Sequence, residues 1–140
     1  MKKRGPVVYT SLQSGEQIKE IEGYPDYFVT SFGRVLSVRA LGNTKGAKQT
    51  PLREIQLSFG TGRYHYANIF NENGFRHSLR VNRLVYQYFN PKGEPLKEGF
   101  VIDHIDHNKI NNNITNLRQI THSENTVSYF NHKRKLQQNA

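Results

Sequence analysis

The chain contains no cysteine. That excludes disulfide staples, thiolate zinc centres and a cysteine nucleophile. It also lacks tryptophan, so eight tyrosines and eight phenylalanines must supply the large core side chains. Acidic residues are scarce: 11 stand against 20 Lys and Arg in 140 residues, a net charge of +9 and a pI near 9.9. Such an excess predicts a polyanionic partner, nucleic acid ahead of a membrane surface. No run of about 18 apolar residues exists, so no transmembrane helix and no membrane partner are expected. Residues 1–6 are basic and lack the apolar stretch of a signal peptide, and a cytoplasmic location is expected. Hydrophobic content is 35%, which predicts a modest core, and the length allows one compact domain or two small modules.

The charge is unevenly placed. Lys2, Lys3 and Arg4 make residues 1–15 a basic arm, and Lys133, Arg134 and Lys135 do the same for the last residues. Residues 16–26 are net acidic, residues 27–90 carry +7, and residues 91–125 sum to −1. The middle segment is rich in aromatic and β-branched residues, so it is expected to be folded and basic together.

Periodicity predicts a β-rich first half. Two apolar runs within 27–38 flank Ser31-Phe32-Gly33, a hairpin with its turn at Gly33. Residues 42–51 read as a polar loop. The alternation of Ile55, Leu57 and Phe59 reads as one half-buried strand, and residues 64–70 as another. Residues 71–74 turn the chain, and 76–81 are extended. Leu84, Val85, Tyr88 and Phe89 fall at helical spacing until Asn90-Pro91. The remainder reads as a strand over 100–102, an amide-rich loop over 108–115 and a strand over 117–120. A helix follows to about residue 135, with Thr121 and Glu124 as a capping box.

In that last unit a hairpin leads into a helix, which brings the first strand beside the first helical turn. Asp103 and Asn125 then face each other. A carboxylate and an amide oxygen suit a hard divalent cation that keeps waters and phosphate oxygens in its shell. His104, next to the carboxylate, has the reference pKa to take a proton from water near neutrality. Taken singly, Asp103 and Asn125 also fit turn and cap chemistry. A zinc site built on His104 and His107 lacks third and fourth ligands at sensible spacing. Neighbouring strand residues face opposite sides, so the alternation predicts a bend or bulge at Asp103-His104.

The segment from Val101 to Asn125, with Asp103-His104, Asn111-Asn112, Asn116-Leu117 and Glu124-Asn125, resembles the HNH nucleases of phages and mobile introns. Residues 83–91 resemble the helix that leads into that pattern. Residues 18–38, with Tyr24-Pro25-Asp26-Tyr27-Phe28-Val29-Thr30-Ser31-Phe32-Gly33-Arg34-Val35, are similar to a module that often precedes it in homing endonucleases. The resemblance implies an α+β fold, a small antiparallel β-rich module followed by a ββα-metal module. It implies a metal-dependent DNA endonuclease with Asp103 and Asn125 as metal ligands, His104 as general base and Asn116 bracing the loop. The expected cofactor is one divalent cation, Mg²⁺ ahead of Mn²⁺, with no small-molecule cofactor. The expected partner is double-stranded DNA, inside a bacterial host if phage-encoded. Three positions depart from the family pattern: His107 stands where Gly is usual, Asn82 where His is usual, and no Trp lies near Ile18. A histidine at 107 needs a turn without a strong demand for positive φ, or it pays strain.

The expected organisation is a basic arm over 1–15, a DNA-binding module over 16–75, the nuclease module over 76–130 and a basic tail over 131–140. Arg34, Arg39, Lys45, Lys48, Arg53 and Arg63 are the expected phosphate contacts, which give affinity and register without reading sequence. The C-terminal helix-turn-helix that relatives often carry has no room before Ala140, so specificity is expected to be relaxed or to come from the N-terminal module and partners. Two other readings stand beside the nuclease. A DNA-binding regulator on the same fold need not keep Asp103, His104 and Asn125 together. An RNA-binding protein would be expected to show a stacking motif of the common RNA modules, and none is visible.

Overall fold

Short β-branched and aromatic runs, punctuated by glycine turns, build the first layer. In the computed structural model, which describes residues 7–40 and 48–138, five antiparallel strands make one sheet: β1 (Val8–Tyr9), β2 (Ile18–Glu20), β3 (Tyr27–Thr30), β4 (Val35–Ser37) and β5 (Arg53–Glu54). Their order is β1-β5-β4-β3-β2. The β3–β4 hairpin turns at Gly33, whose φ of +87° is costly for any residue with a Cβ. A second sheet of β6 (Ser58–Phe59), β7 (His65–Phe70) and β8 (Arg76–Arg80) runs in the order β6-β7-β8.

The single strand predicted over 55–59 is divided. Residues 53–54 pair with β4 and β1, residues 58–59 pair with β7, and 55–57 carry the chain from one sheet to the other. Ile55 and Leu57 both pack on the core from this connection, so their alternation looks like a strand's. The helix α1 (Val81–Phe89) follows β8 directly and buries Val81, Leu84 and Val85. The last unit is β9 (Phe100–His104), β10 (Leu117–Thr121) and α2 (His122–Gln138). The Glu124 amide donates to Thr121 Oγ1 at 3.1 Å, and Thr121 Oγ1 donates to Glu124 Oε1 at 3.0 Å, which starts α2 at the capping box.

One apolar cluster joins the parts. Tyr27, Val29 and Val35 from the first sheet meet Ala67 and Ile69 from the second, Val81 and Val85 from α1, and Ile102 and Leu117 from the last hairpin. The expected division between residues 75 and 76 falls where the β7–β8 turn enters β8, inside one sheet. Part of each expected arm is structured among the described residues. Val8 and Tyr9 pair with Glu54 and Arg53, and residues 1–6 lie outside the described residues. At the other end, residues 131–138 hold no Gly or Pro to stop a helix, and α2 runs to Gln138. No described helix is long and apolar enough to cross a membrane.

The first sheet is locked by a buried ion pair. Glu16 accepts from Arg34 Nε at 2.9 Å and from Nη2 at 2.6 Å. Arg34 also donates to Thr10 Oγ1 at 2.8 Å and to the Ser11 carbonyl at 2.9 Å, which ties residues 10–16 across β4. The Arg34 guanidinium holds the Glu16 carboxyl down at about 2, against the opposing effect of burial. A depressed folded-state pKa stabilises the fold above the unfolded value of 4.5 and ceases to do so as pH falls toward about 2. The shift corresponds to about 3 kcal/mol. Urea unfolding is expected to show wild type losing about that much between pH 5 and pH 2, and Glu16→Gln to be destabilised at pH 7 with a flatter profile. A Glu16→Gln protein as stable as wild type at pH 7 would refute this.

Candidate active site

The site is built on the free edge of β9. The β9–β10 ladder is one-to-one from Phe100↔Thr121 to His104↔Leu117, so the predicted bend or bulge at Asp103-His104 is absent. Alternation holds: Asp103 lies opposite Arg118 on the face toward α2, and His104 lies opposite Leu117 on the core face. The sheet has only two strands, so a cleft along the edge of β9 receives side chains from both faces. That cleft, about 420 Å³, is lined by Asp103, His104, Lys109, Asn125 and Tyr64 among others. Asn82, from the first turn of α1, closes the adjoining part of the edge by donating to the Ile102 carbonyl at 3.1 Å.

The loop after β9 is an amide network. Asp106 Oδ1 accepts from the Asn108 amide at 2.8 Å and from Asn116 Nδ2 at 2.8 Å, and Oδ2 accepts from Asn111 Nδ2 at 2.9 Å. These donors, Asn111 first, hold the Asp106 carboxyl below the usual carboxylate range. Asn116 also accepts from the Asp106 amide at 3.0 Å and donates to the Asn111 carbonyl at 2.9 Å, so it ties both ends of the loop. The residue that meets His104 is Asn112, buried, with Oδ1 2.7 Å from His104 Nε2. A neutral ring facing an amide oxygen carries its proton on Nε2 and keeps a lone pair on Nδ1. Sequence reasoning missed Asn112, because it sits in the run Asn111-Asn112-Asn113.

His107 does take a left-handed conformation, φ 61°. The turn demands positive φ, and a side chain there costs about 1 kcal/mol. Its ring stacks on His132 at 4.0 Å and 10°, a contact that a glycine could not make. His104 and His107 therefore point to different partners, and no group of three or more His, Cys, Asp or Glu converges among the described residues.

The donors for a cation are hard ones. Asp103 Oδ2 is held by Arg118 Nε at 2.9 Å, while Oδ1 has no hydrogen-bond partner among the described residues. The Asn125 side chain likewise has none there, and it lines the same two clefts as Asp103. An open carboxylate oxygen beside an open amide oxygen fits a divalent cation of the magnesium type. Beside them two cations lie against the Tyr64 ring, Arg80 at 4.6 Å and Lys109 at 4.8 Å from its centre.

The six expected phosphate contacts are scattered. Arg34 is committed to Glu16, Thr10 and Ser11, which takes it off the surface. Arg53 is buried and donates to Thr50. Arg39 stacks over Phe70 at 4.2 Å and reaches the Tyr27 hydroxyl at 3.3 Å. Lys48 and Arg63 are exposed, and Lys45 lies outside the described residues. The sheet β6–β7–β8 adds cations that the expectation omitted. Its core face carries Ala67, Ile69 and Leu79, while Ser58, Tyr66, Asn68, Arg76, Ser78 and Arg80 share the opposite face. Asn68 donates to Ser58 Oγ at 2.8 Å and accepts from Ser78, a polar tie across all three strands. Arg80 stands where that face meets Asp103 and Asn125.

A strand bearing Asp-His, a braced loop, a second strand and a helix bearing Asn is the arrangement of an HNH endonuclease domain. Residues 80–127 match the family model described as HNH endonuclease. The chain is also homologous to a phage homing endonuclease: it is 33% identical over 108 residues to the DNA endonuclease I-HmuI of Bacillus phage SP01, 76% of this chain and 53% of that protein. It is 30% identical over 118 residues to an uncharacterized HNH endonuclease of Acanthamoeba polyphaga mimivirus, 83% of this chain and 31% of that one. The solved structure of DNA binding and cleavage by I-HmuI superposes with a TM-score of 0.64 at 31% identity, over 87% of this chain and 64% of that chain. The chain thus spans about half the length, or less, of these curated relatives.

Proposed function

We propose that the protein is a divalent-metal-dependent endonuclease of the HNH type that hydrolyses phosphodiester bonds of double-stranded DNA, in the manner of a phage or mobile-element homing endonuclease acting in the host cytoplasm. The observation that carries this reading is the meeting of Asp103, His104 and Asn125 in one cleft. His104, its Nε2 proton engaged by Asn112, takes a proton at Nδ1 from a water attacking the scissile phosphorus. The new P–O bond forms as the P–O3′ bond breaks, and the 3′ oxygen takes a proton from solvent. The ends are a 5′-phosphate and a 3′-hydroxyl. A cation held by Asp103 and Asn125, Mg²⁺ in our reading with Mn²⁺ as the alternative, supplies Lewis-acid stabilisation of the charge that develops at the phosphate. Asn116 keeps the intervening loop in shape. The polar face of β6–β7–β8, with Arg76 and Arg80, and the exposed Arg63, Arg83 and Lys48 with Arg39 hold the duplex backbone. A regulator that binds DNA without cutting has no use for this constellation.

Supercoiled plasmid incubated with the protein is expected to be nicked or linearised with Mg²⁺ and left intact with chelator. Plasmid left supercoiled in both would refute the nuclease reading. Calorimetry with Mn²⁺ is expected to show one site. Asp103→Ala or Asn125→Ala should weaken it at least about tenfold, since losing even an outer-shell partner of a metal site costs that much. Unchanged affinity in both variants would place the cation elsewhere.

A further inference from the structure

The loop that holds Asn112 against His104 is itself held from outside the segment that matches the nuclease family. The Ile114 amide donates to the Ser31 carbonyl at 2.9 Å, and Gly33 lies so close to Asn112 that a Cβ there would stand 2.7 Å from Asn112 Cβ and 3.0 Å from its backbone carbonyl carbon and oxygen. The turn at 31–33 is rigid. Thr30 Oγ1 accepts from the amides of Phe32 and Arg34, the Gly33 amide donates to the Thr30 carbonyl, and Ser31 exchanges hydrogen bonds with Gln17 at 2.9 Å each. Thr30 is fully buried and Ser31 nearly so.

We propose that the β3–β4 hairpin turn is a positioning element for His104, with Ser31 and Gly33 setting Asn112 and Asn112 setting the imidazole. This deepens the nuclease reading, on which the role of His104 as base rests. The homologous match to the HNH model begins at residue 80. The N-terminal sheet therefore supplies the wall against which the catalytic loop is shaped. Glycine at 33 meets two demands together, the positive φ and the absence of a Cβ facing Asn112.

The test compares Gly33→Ala with Gly23→Ala. Gly23 has nearly the same backbone, φ +83°, but nothing within 4 Å of an added Cβ, so it reproduces the strain without the push. The ring nitrogen shifts of His104 by NMR are the decisive readout. Wild type and Gly23→Ala should report the Nε2–H tautomer, and Gly33→Ala a mixture. Single-turnover cleavage by Gly33→Ala at saturating DNA should fall about ten- to hundredfold with DNA affinity unchanged, since a misplacement of about 1 Å can cost about a hundredfold. In an Asn112→Ala background the same substitution should add little further loss. A folded Gly33→Ala protein that keeps the wild-type tautomer overturns the proposal, whatever its rate. If wild type itself does not cut DNA but the tautomer responds, positioning stands and the nuclease reading falls. Should Gly33→Ala fail to fold, Asn112→Ala is read by the same ring shifts: a mixture of tautomers supports the path from turn to ring, and an unchanged Nε2–H tautomer overturns it.

Discussion

His104→Ala is expected to lower the single-turnover cleavage rate by about two to four orders of magnitude while leaving DNA affinity within about twofold of wild type. The first half follows from the placement of Nδ1. The ring is anchored at Nε2 by Asn112, which leaves Nδ1 as its free nitrogen, and His104 lines the cleft shared with Asp103 and Asn125. The second half follows from burial: at 4% exposure His104 has no surface with which to grip a phosphate. Asn112→Ala keeps the imidazole but frees the ring and its tautomer, so its loss should be smaller than that of His104→Ala. Added imidazole should restore part of the His104→Ala rate, because the deletion leaves a ring-shaped space beside the cleft. A His104→Ala protein cutting at the wild-type rate removes the base assignment. One that loses affinity and rate together points to a structural role for the ring.

Short-range pattern made much of this site readable. Asp103 and His104 are adjacent, the hairpin is short, and the Thr121–Glu124 box marks the start of α2, so the strand end and Asn125 had to meet. The same pattern could not assign the three asparagines at 111–113. Composition treats them as equal, yet their partners differ. Asn111 bonds Asp106, Asn112 bonds His104, and Asn113 accepts from the Thr115 amide. Their roles depend on how a loop closes, which no periodicity encodes. Charge counting failed for a related reason. Arg34 contributes to the +7 of residues 27–90, but its partner Glu16 is 18 residues away, in the acidic stretch before it. That neighbouring acidic stretch was the available signal that part of the basic charge is neutralised within the fold. The strand divided at 55–57 shows the limit of alternation, since residues crossing between two sheets over one core also bury every second side chain.

Binding to duplex DNA is expected to fall about a thousandfold between 50 and 200 mM salt. Removing Arg34 and Arg53 from the basic surface leaves Arg39, Lys48 and Arg63, and the sheet and α1 add Arg76, Arg80 and Arg83. Roughly six phosphate contacts, each contributing about −0.9, give a slope of log affinity against log salt near −5. Arg76→Ala or Arg80→Ala should each reduce that slope by about one and weaken binding to all sequences alike. Arg34→Gln distinguishes buried charge from surface charge: it should leave the slope unchanged while lowering the urea midpoint, because its loss strands Glu16 in the sheet. The competing grip is the two ends. Lys2, Lys3 and Arg4 can be deleted with residues 1–6 without touching β1, whereas Lys133, Arg134 and Lys135 lie within α2 and are better replaced by glutamine. If the slope survives both changes, the sheet face and α1 hold the DNA. If it collapses, the ends hold it, and the polar tie of Ser58, Asn68 and Ser78 is a device of sheet stability alone.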